Sequence, residues 1–72
     1  MARTLLKKRR INKGLTQERV AESAGISRAF YTEIEGGSKN CSMEKWLKIA
    51  ACLDIPESKL IAYISEGIKK GA

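Results

Sequence analysis

The stretch Ala24-Gly25-Ile26-Ser27 constrains this chain more than any other feature of it. Gly25 follows a stripe of small apolar side chains, Val20, Ala21 and Ala24, at a point where a left-handed residue ends a helix without steric cost. Ser27, two residues on, is a natural N-cap for another helix. A stop and a start set so close leave room only for a tight turn, and small side chains let the two helices pack closely. Thr16 caps the first of the pair, Glu18 suits the positive end of its dipole, and Leu15 with Val20 forms a hydrophobic staple over its first turn. The second runs from about Arg28 to Glu35 with Tyr31 and Ile34 inward, until Gly36-Gly37 breaks it. Arg28, Ala29, Thr32 and Glu33 are left facing outward.

The rest of the chain reads as three further helices. Leu5 to Lys13 forms one, ended by Gly14, with Leu6, Arg10 and Lys13 on one side and Leu5 and Arg9 on its neighbour. Ser42 caps another, in which Met43, Trp46, Leu47, Ala50 and Leu53 recur at helical spacing and make up the bulk of the core. Pro56 opens the last, which carries Leu60, Ile61, Ile64 and Ile68 and runs over about residues 56 to 70. The expected fold is a compact all-α domain of five helices over residues 1–72, with no repeat or low-complexity stretch. A stretch of 72 residues is expected to hold one small core, with no room in it for an effector domain.

Fourteen Lys and Arg against eight Asp and Glu give a formal charge of +6, which favours a polyanionic partner, nucleic acid or an anionic surface. The sharpest asymmetry lies at the N-terminus, where Arg3, Lys7, Lys8, Arg9, Arg10 and Lys13 precede the first acidic residue, Glu18. The stretch reads as an arm along a polyanion or as a charged helix face. No apolar run approaches the roughly 18 residues of a membrane span and no signal-peptide pattern is present, so the expected location is the cytosol. Cys41 and Cys52 form no C-x-x-C pair, the chain has no His to complete a metal site, and both read as reduced thiols. Without His the usual Ser-His and Cys-His nucleophile systems are missing, which argues against an enzyme. No metal, cofactor or small-molecule ligand is expected.

The run GLTQERVAESAGISRAFYTEIEGG, from Gly14 to Gly37, resembles the phage-repressor and Cro-like helix-turn-helix proteins of the lambda and 434 type, restriction-modification controller proteins among them. Thr16-Gln17, Ala21, Gly25, Ser27-Arg28, Ile34-Glu35 and the later SMEKWLKIAACLDI carry the likeness, over roughly residues 5 to 61. The resemblance implies a lambda-repressor-like fold whose helix-turn-helix unit spans about residues 16 to 36. It also implies a transcriptional regulator, repressor or activator, that binds a palindromic operator in double-stranded DNA as a homodimer.

Residue by residue, it implies that the outward face of the third helix reads bases. Arg28 matches guanine O6 and N7 bidentately, Ala29 and the Thr32 methyl meet thymine methyls, and Glu33 accepts from cytosine N4 or orients Arg28. Gln17 is the expected phosphate clamp, assisted by Thr16 and Ser27, whose other role is simply to cap their helices. Lys39, Asn40 and Lys45 stand where family members touch the DNA backbone, or form a solvated loop. Arg10 and Glu35 match a structural ion pair joining the first helix to the end of the third; the competing reading leaves Arg10 on the basic face. Tyr63, Ile64 and Ile68 exceed what a monomer needs and suggest a dimer interface, against a longer helix packing on its own domain. Phe30 and Pro56 depart from the family pattern, which usually has a small or polar residue and a Ser or Thr cap there. Phe30 reads as core or as a contact to a thymine methyl, and Trp46 reads as core. An antitoxin-type protein that binds a partner protein as well as DNA, and a nonspecific or RNA-binding protein, are the alternatives.

Overall fold

A computed structural model describes residues 2–67. Five helices follow in order: α1 (Thr4–Asn12), α2 (Gln17–Ala24), α3 (Arg28–Gly36), α4 (Met43–Leu53) and α5 (Glu57–Gly67), with no strand among the described residues. α2 packs on both α3 and α4, while α5 closes the bundle against α1, α3 and α4.

Local chemistry explains most of the boundaries. The Thr16, Ser27 and Ser42 hydroxyls each accept a hydrogen bond from the backbone N–H three residues on, those of Arg19, Phe30 and Lys45. Gly25 and Gly37 take left-handed conformations at the C-termini of α2 and α3, with φ of 72° and 86°. Asp54 does the same after α4 with φ 57°, an uncommon conformation for a residue with a side chain. Pro56 lies just before α5, and its carbonyl accepts from the Lys59 N–H at 2.9 Å.

α1 has no local cap, and the fold supplies one. The Arg3 N–H donates to the Glu35 carbonyl at 2.8 Å, and the Leu5 N–H to the Glu66 carboxylate of α5, also at 2.8 Å. A carboxylate at a helix N-terminus both satisfies an orphan amide and suits the dipole.

The core gathers Leu6, Val20, Ala21, Ala24, Tyr31, Ile34, Trp46, Ile49, Ala50, Leu53, Ile55 and Leu60. Phe30, half-buried, packs against it, and the Trp46 indole N–H donates to Asn40 Oδ1 at 2.7 Å. The expected α4 stripe requires correction. Met43 and Leu47 are 51% and 41% exposed, whereas Ile49 is fully buried, so the buried line of α4 runs through Trp46, Ile49, Ala50 and Leu53. Leu60 and Ile61 are together expected to close the core, but Ile61 is 62% exposed, and of the two only Leu60 is buried. Met43, Leu47, Glu57, Leu60 and Ile61 line an apolar groove of about 300 Å³ between α4 and α5.

The N-terminal cations are the second correction. Arg3 is 1% exposed and spends its guanidinium on carbonyls: Nη1 donates to those of Ile34 (2.7 Å) and Lys39 (2.9 Å), and Nε to that of Ile64 (3.2 Å). It also lies over the Trp46 ring, 5.1 Å from its centroid. Arg9 donates to the carbonyls of Leu53 and Asp54 at the end of α4, and Lys13 pairs with the Asp54 carboxylate. These are the negative ends of helices, where unpaired carbonyls accumulate and a cation is stabilised. Lys7 and Lys8 are exposed and have no ion-pair partner among the described residues.

Candidate nucleic-acid interface

α3 presents two faces of different character. Tyr31 and Ile34 are buried, as is Glu35, while Arg28, Ala29, Thr32 and Glu33 are exposed and together line a shallow depression of about 490 Å³. The helical period produces this division, since positions 28, 29, 32 and 33 fall on one side and 31, 34 and 35 on the other.

Beside this face, the start of α2 forms a second cleft of about 470 Å³, lined by Arg10, Leu15, Thr16, Gln17, Glu18 and Arg28. It combines the free N–H groups of a helix N-terminus with the exposed Arg28 guanidinium, a setting that attracts anions, although Glu18 also lines it and the Arg10 charge there is met by Glu35. Thr16 and Ser27 accept backbone hydrogen bonds through their oxygens, leaving their own hydroxyl hydrogens available to an acceptor outside the chain.

A hydrogen-bonded network joins the two clefts. Arg10 Nε and Nη2 reach the two Glu35 carboxylate oxygens at 2.6 and 3.3 Å, and Nη1 donates to the Leu15 carbonyl at 2.8 Å. The pair is largely withdrawn from solvent, with 12% and 4% of the two side chains exposed. Gln17 Nε2 donates to Glu35 Oε1 at 3.1 Å, and the Thr32 hydroxyl donates to Gln17 Oε1 at 2.8 Å. Burial pushes the Glu35 carboxyl up, but the hydrogen bonds from Arg10 and Gln17 and the nearby Tyr31 hydroxyl outweigh it and hold the group below the ordinary carboxylate range. Arg10 is raised chiefly by its bond to Glu35. The Tyr31 hydroxyl is buried and lies near enough to Glu35 to influence it, yet outside direct hydrogen-bond geometry; burial raises its own pKa.

The remaining residues singled out from the sequence lie in other settings. Lys39 and Asn40 are exposed in the loop after α3, but the Lys39 carbonyl is taken by Arg3, and Asn40 Oδ1 accepts from Trp46 and from the Cys41 N–H. Lys45 is half-buried, its ammonium against the Gly25 turn. Tyr63 and Ile64 are half-buried against the core. Ile68 lies outside the described residues. Cys41 and Cys52 are free thiols, and burial raises the Cys41 pKa.

Sequence reasoning missed two contributors to this arrangement. Arg3 ties the end of α3 to α5, and Glu66 caps α1 from 61 residues away. Neither carries a local signal, because the carbonyls that hold Arg3 and the amide that meets Glu66 become neighbours only once the bundle has closed.

A short helix, a left-handed glycine turn and a second helix with one exposed polar face define a helix-turn-helix unit, and comparison with known proteins agrees. The helix-turn-helix family model matches residues 6–60, and the chain belongs to that family. It is also 54% identical over 43 residues to YqaF of Bacillus subtilis (strain 168), described as an uncharacterized HTH-type transcriptional regulator. That match takes in 60% of this chain and spans 57% of the relative's length. No helix among the described residues is long and apolar enough to cross a membrane.

Proposed function

We propose that this protein is a transcriptional regulator that binds double-stranded DNA sequence-specifically, as a homodimer on a partly palindromic operator, and that it acts by binding alone. The observation that carries the reading is the exposed face of α3, where Arg28, Ala29, Thr32 and Glu33 share one surface next to the anion-attracting start of α2. α3 enters the major groove. Arg28 takes guanine, Ala29 and Thr32 face neighbouring base edges, and Glu33 accepts from a cytosine amine. Gln17 holds a phosphate with the amide hydrogen that Glu35 leaves unused, Thr16 and Ser27 add their hydroxyl hydrogens, and Lys39, Asn40 and Lys45 follow the backbone beyond α3. The Arg10–Glu35 pair keeps α1, α2 and α3 in one arrangement and touches no base.

The homodimer follows from the size of the reading surface. A helix of nine residues extends about 13 Å and spans only a few base pairs, so a second copy one helical turn away, about 34–36 Å, supplies the rest of a useful site. Tyr63 and Ile64 of α5 form the interface together with Ile68, which lies outside the described residues, and Ile61, exposed beside Met43 and Leu47, extends it. The described helices then act as one binding domain, with the turn unit over residues 16–36 and pairing through the chain from Pro56 onward.

Footprinting on the DNA upstream of the protein's own gene tests this, with a salt titration alongside. Two protected half-sites centred about one helical turn apart are expected, with affinity falling steeply as salt rises because bound phosphates release counterions. Protection that shuffled DNA competes away as well as the site itself would overturn the sequence-specific reading, and a 1:1 complex protecting a single half-site would overturn the dimer.

A further inference from the structure

The Thr32 hydroxyl lies between two acceptors. Its Oγ1 is 2.8 Å from Gln17 Oε1 and 2.9 Å from the Arg28 carbonyl oxygen. A hydroxyl has one hydrogen, and whichever neighbour takes it, none remains to donate outward.

The identity of the nearer acceptor is fixed by chemistry deeper in the protein. The other end of the Gln17 amide meets Glu35 Oε1 at 3.1 Å, and that carboxylate, gripped by Arg10, can only accept. Turning the amide round would set its oxygen against a carboxylate oxygen. The NH2 therefore faces Glu35 and the carbonyl faces Thr32, so the direction of donation runs from Thr32 to Gln17 to Glu35, with Arg10 donating from the far side. The buried ion pair thus dictates what an exposed side chain on the reading face can offer: an oxygen lone pair and a methyl group.

We propose that Thr32 is a specificity-determining residue that reads the exocyclic amine of adenine or cytosine as a hydrogen-bond acceptor, its own hydrogen being withheld by Gln17 and the Arg28 carbonyl. The inference rests on the DNA-binding role of α3 and deepens it. In the major groove the base-edge donors are adenine N6 and cytosine N4, while guanine O6 and N7 and thymine O4 only accept. A free threonine reads either kind of edge. Here the acceptor edges would meet a lone pair, so Thr32 discriminates between the amine-bearing and the carbonyl-bearing side of a base pair.

The experiment uses the full chain and the best site it selects from randomised double-stranded DNA. Thr32→Val, which keeps the shape and the methyl and removes the oxygen, identifies the base pair that Thr32 meets as the one whose preference changes. At that pair adenine is replaced by purine, or cytosine by pyrimidin-2-one, either of which deletes the amine, and Kd is measured for both proteins. The wild type is expected to lose about 5- to 10-fold, the worth of one hydrogen bond, while Thr32→Val loses nothing and Thr32→Ser, which keeps the oxygen, behaves as the wild type.

Equal losses for the wild type and Thr32→Val overturn the proposal, as does an unchanged base preference in Thr32→Val at every position. A loss confined to exchanging thymine for uracil also overturns it, since that places the methyl against the base in place of the oxygen. A wild type that selects no sequence at all removes the DNA-reading role of α3 and this inference with it, whereas the other three outcomes leave that role intact.

Discussion

α1 and the residue before it hold the densest run of cations in the chain, and α3 carries a single one, yet it is α3 that offers its polar side chains outward. Arg3, Arg9 and Arg10 turn inward, onto the carbonyls of Ile34, Lys39, Ile64, Leu53 and Asp54 and onto the Glu35 carboxylate, and Lys13 pairs with Asp54. On α3 the outward residues Arg28, Ala29 and Glu33 make no side-chain hydrogen bond among the described residues, whereas Thr32 is tied back, through Gln17. The contrast shows that a run of positive charge does not by itself locate a binding surface. The C-termini of a protein's own helices compete for arginine, and a guanidinium bonded to three carbonyls is more firmly held than one that waits for a phosphate.

The largest effect is expected at Glu35. Replacing it by Gln leaves Arg10 with its Leu15 carbonyl but no counter-charge, and a loss of about 3 kcal/mol in unfolding free energy is expected, at the low end for a buried pair. The pH dependence carries a sign. Because the folded protein holds the Glu35 carboxyl below its ordinary value of 4.5, its contribution is complete above that pH and disappears as pH falls through the folded pKa. Urea unfolding between neutral pH and pH 3 should therefore show a steeper acid loss in the wild type than in Glu35→Gln, and equal slopes would remove the ion pair from this role.

Arg3→Met comes next. The thioether fills part of the space but takes the guanidinium donor away from the carbonyls of Ile34, Lys39 and Ile64, at a cost of about 2 kcal/mol in the same assay. If Arg3 served DNA in place of the fold, its removal would weaken binding and leave the urea midpoint where it was.

Arg28→Ala inverts the pattern. Its stability should stay within about 0.5 kcal/mol of the wild type, as for an exposed side chain. Discrimination at one base pair should fall by about 1–3 kcal/mol, measured by competition between the selected site and its single-base variants.

The smallest effect is reserved for the two N-terminal lysines that remain exposed. Lys7→Gln and Lys8→Gln should weaken all DNA sequences alike, each lowering the slope of log K against log salt by about 0.9 if it meets a phosphate. An unchanged slope would mean that the whole basic segment serves the fold or the solvent.

The α2–α3 unit was legible in the sequence because its signals are local. Thr16, Ser27 and Ser42 cap the helices they precede, Gly25 and Gly37 stop the ones they follow, and the outward set of α3 follows from the helical period. The α4 stripe was legible only in part. Periodicity gives a face several residues wide, and which edge of it is buried depends on where α2 and α5 lie, so Ile49 went inward and Met43 and Leu47 did not. The basic N-terminus stayed open between an arm and a charged face for the same reason: charge is written in the sequence, whereas the carbonyls that attract Arg3 and Arg9 are not.

The sequence alone thus determined where α2 and α3 begin and end and which residues α3 turns outward, because caps, glycine turns and the 3.6-residue period act within a few positions. Tertiary structure alone decided which cations remain for a partner, which apolar edge of α4 and α5 stays uncovered, and which way the Gln17 amide points. Each of those depends on groups from distant parts of the chain that meet only when the bundle closes.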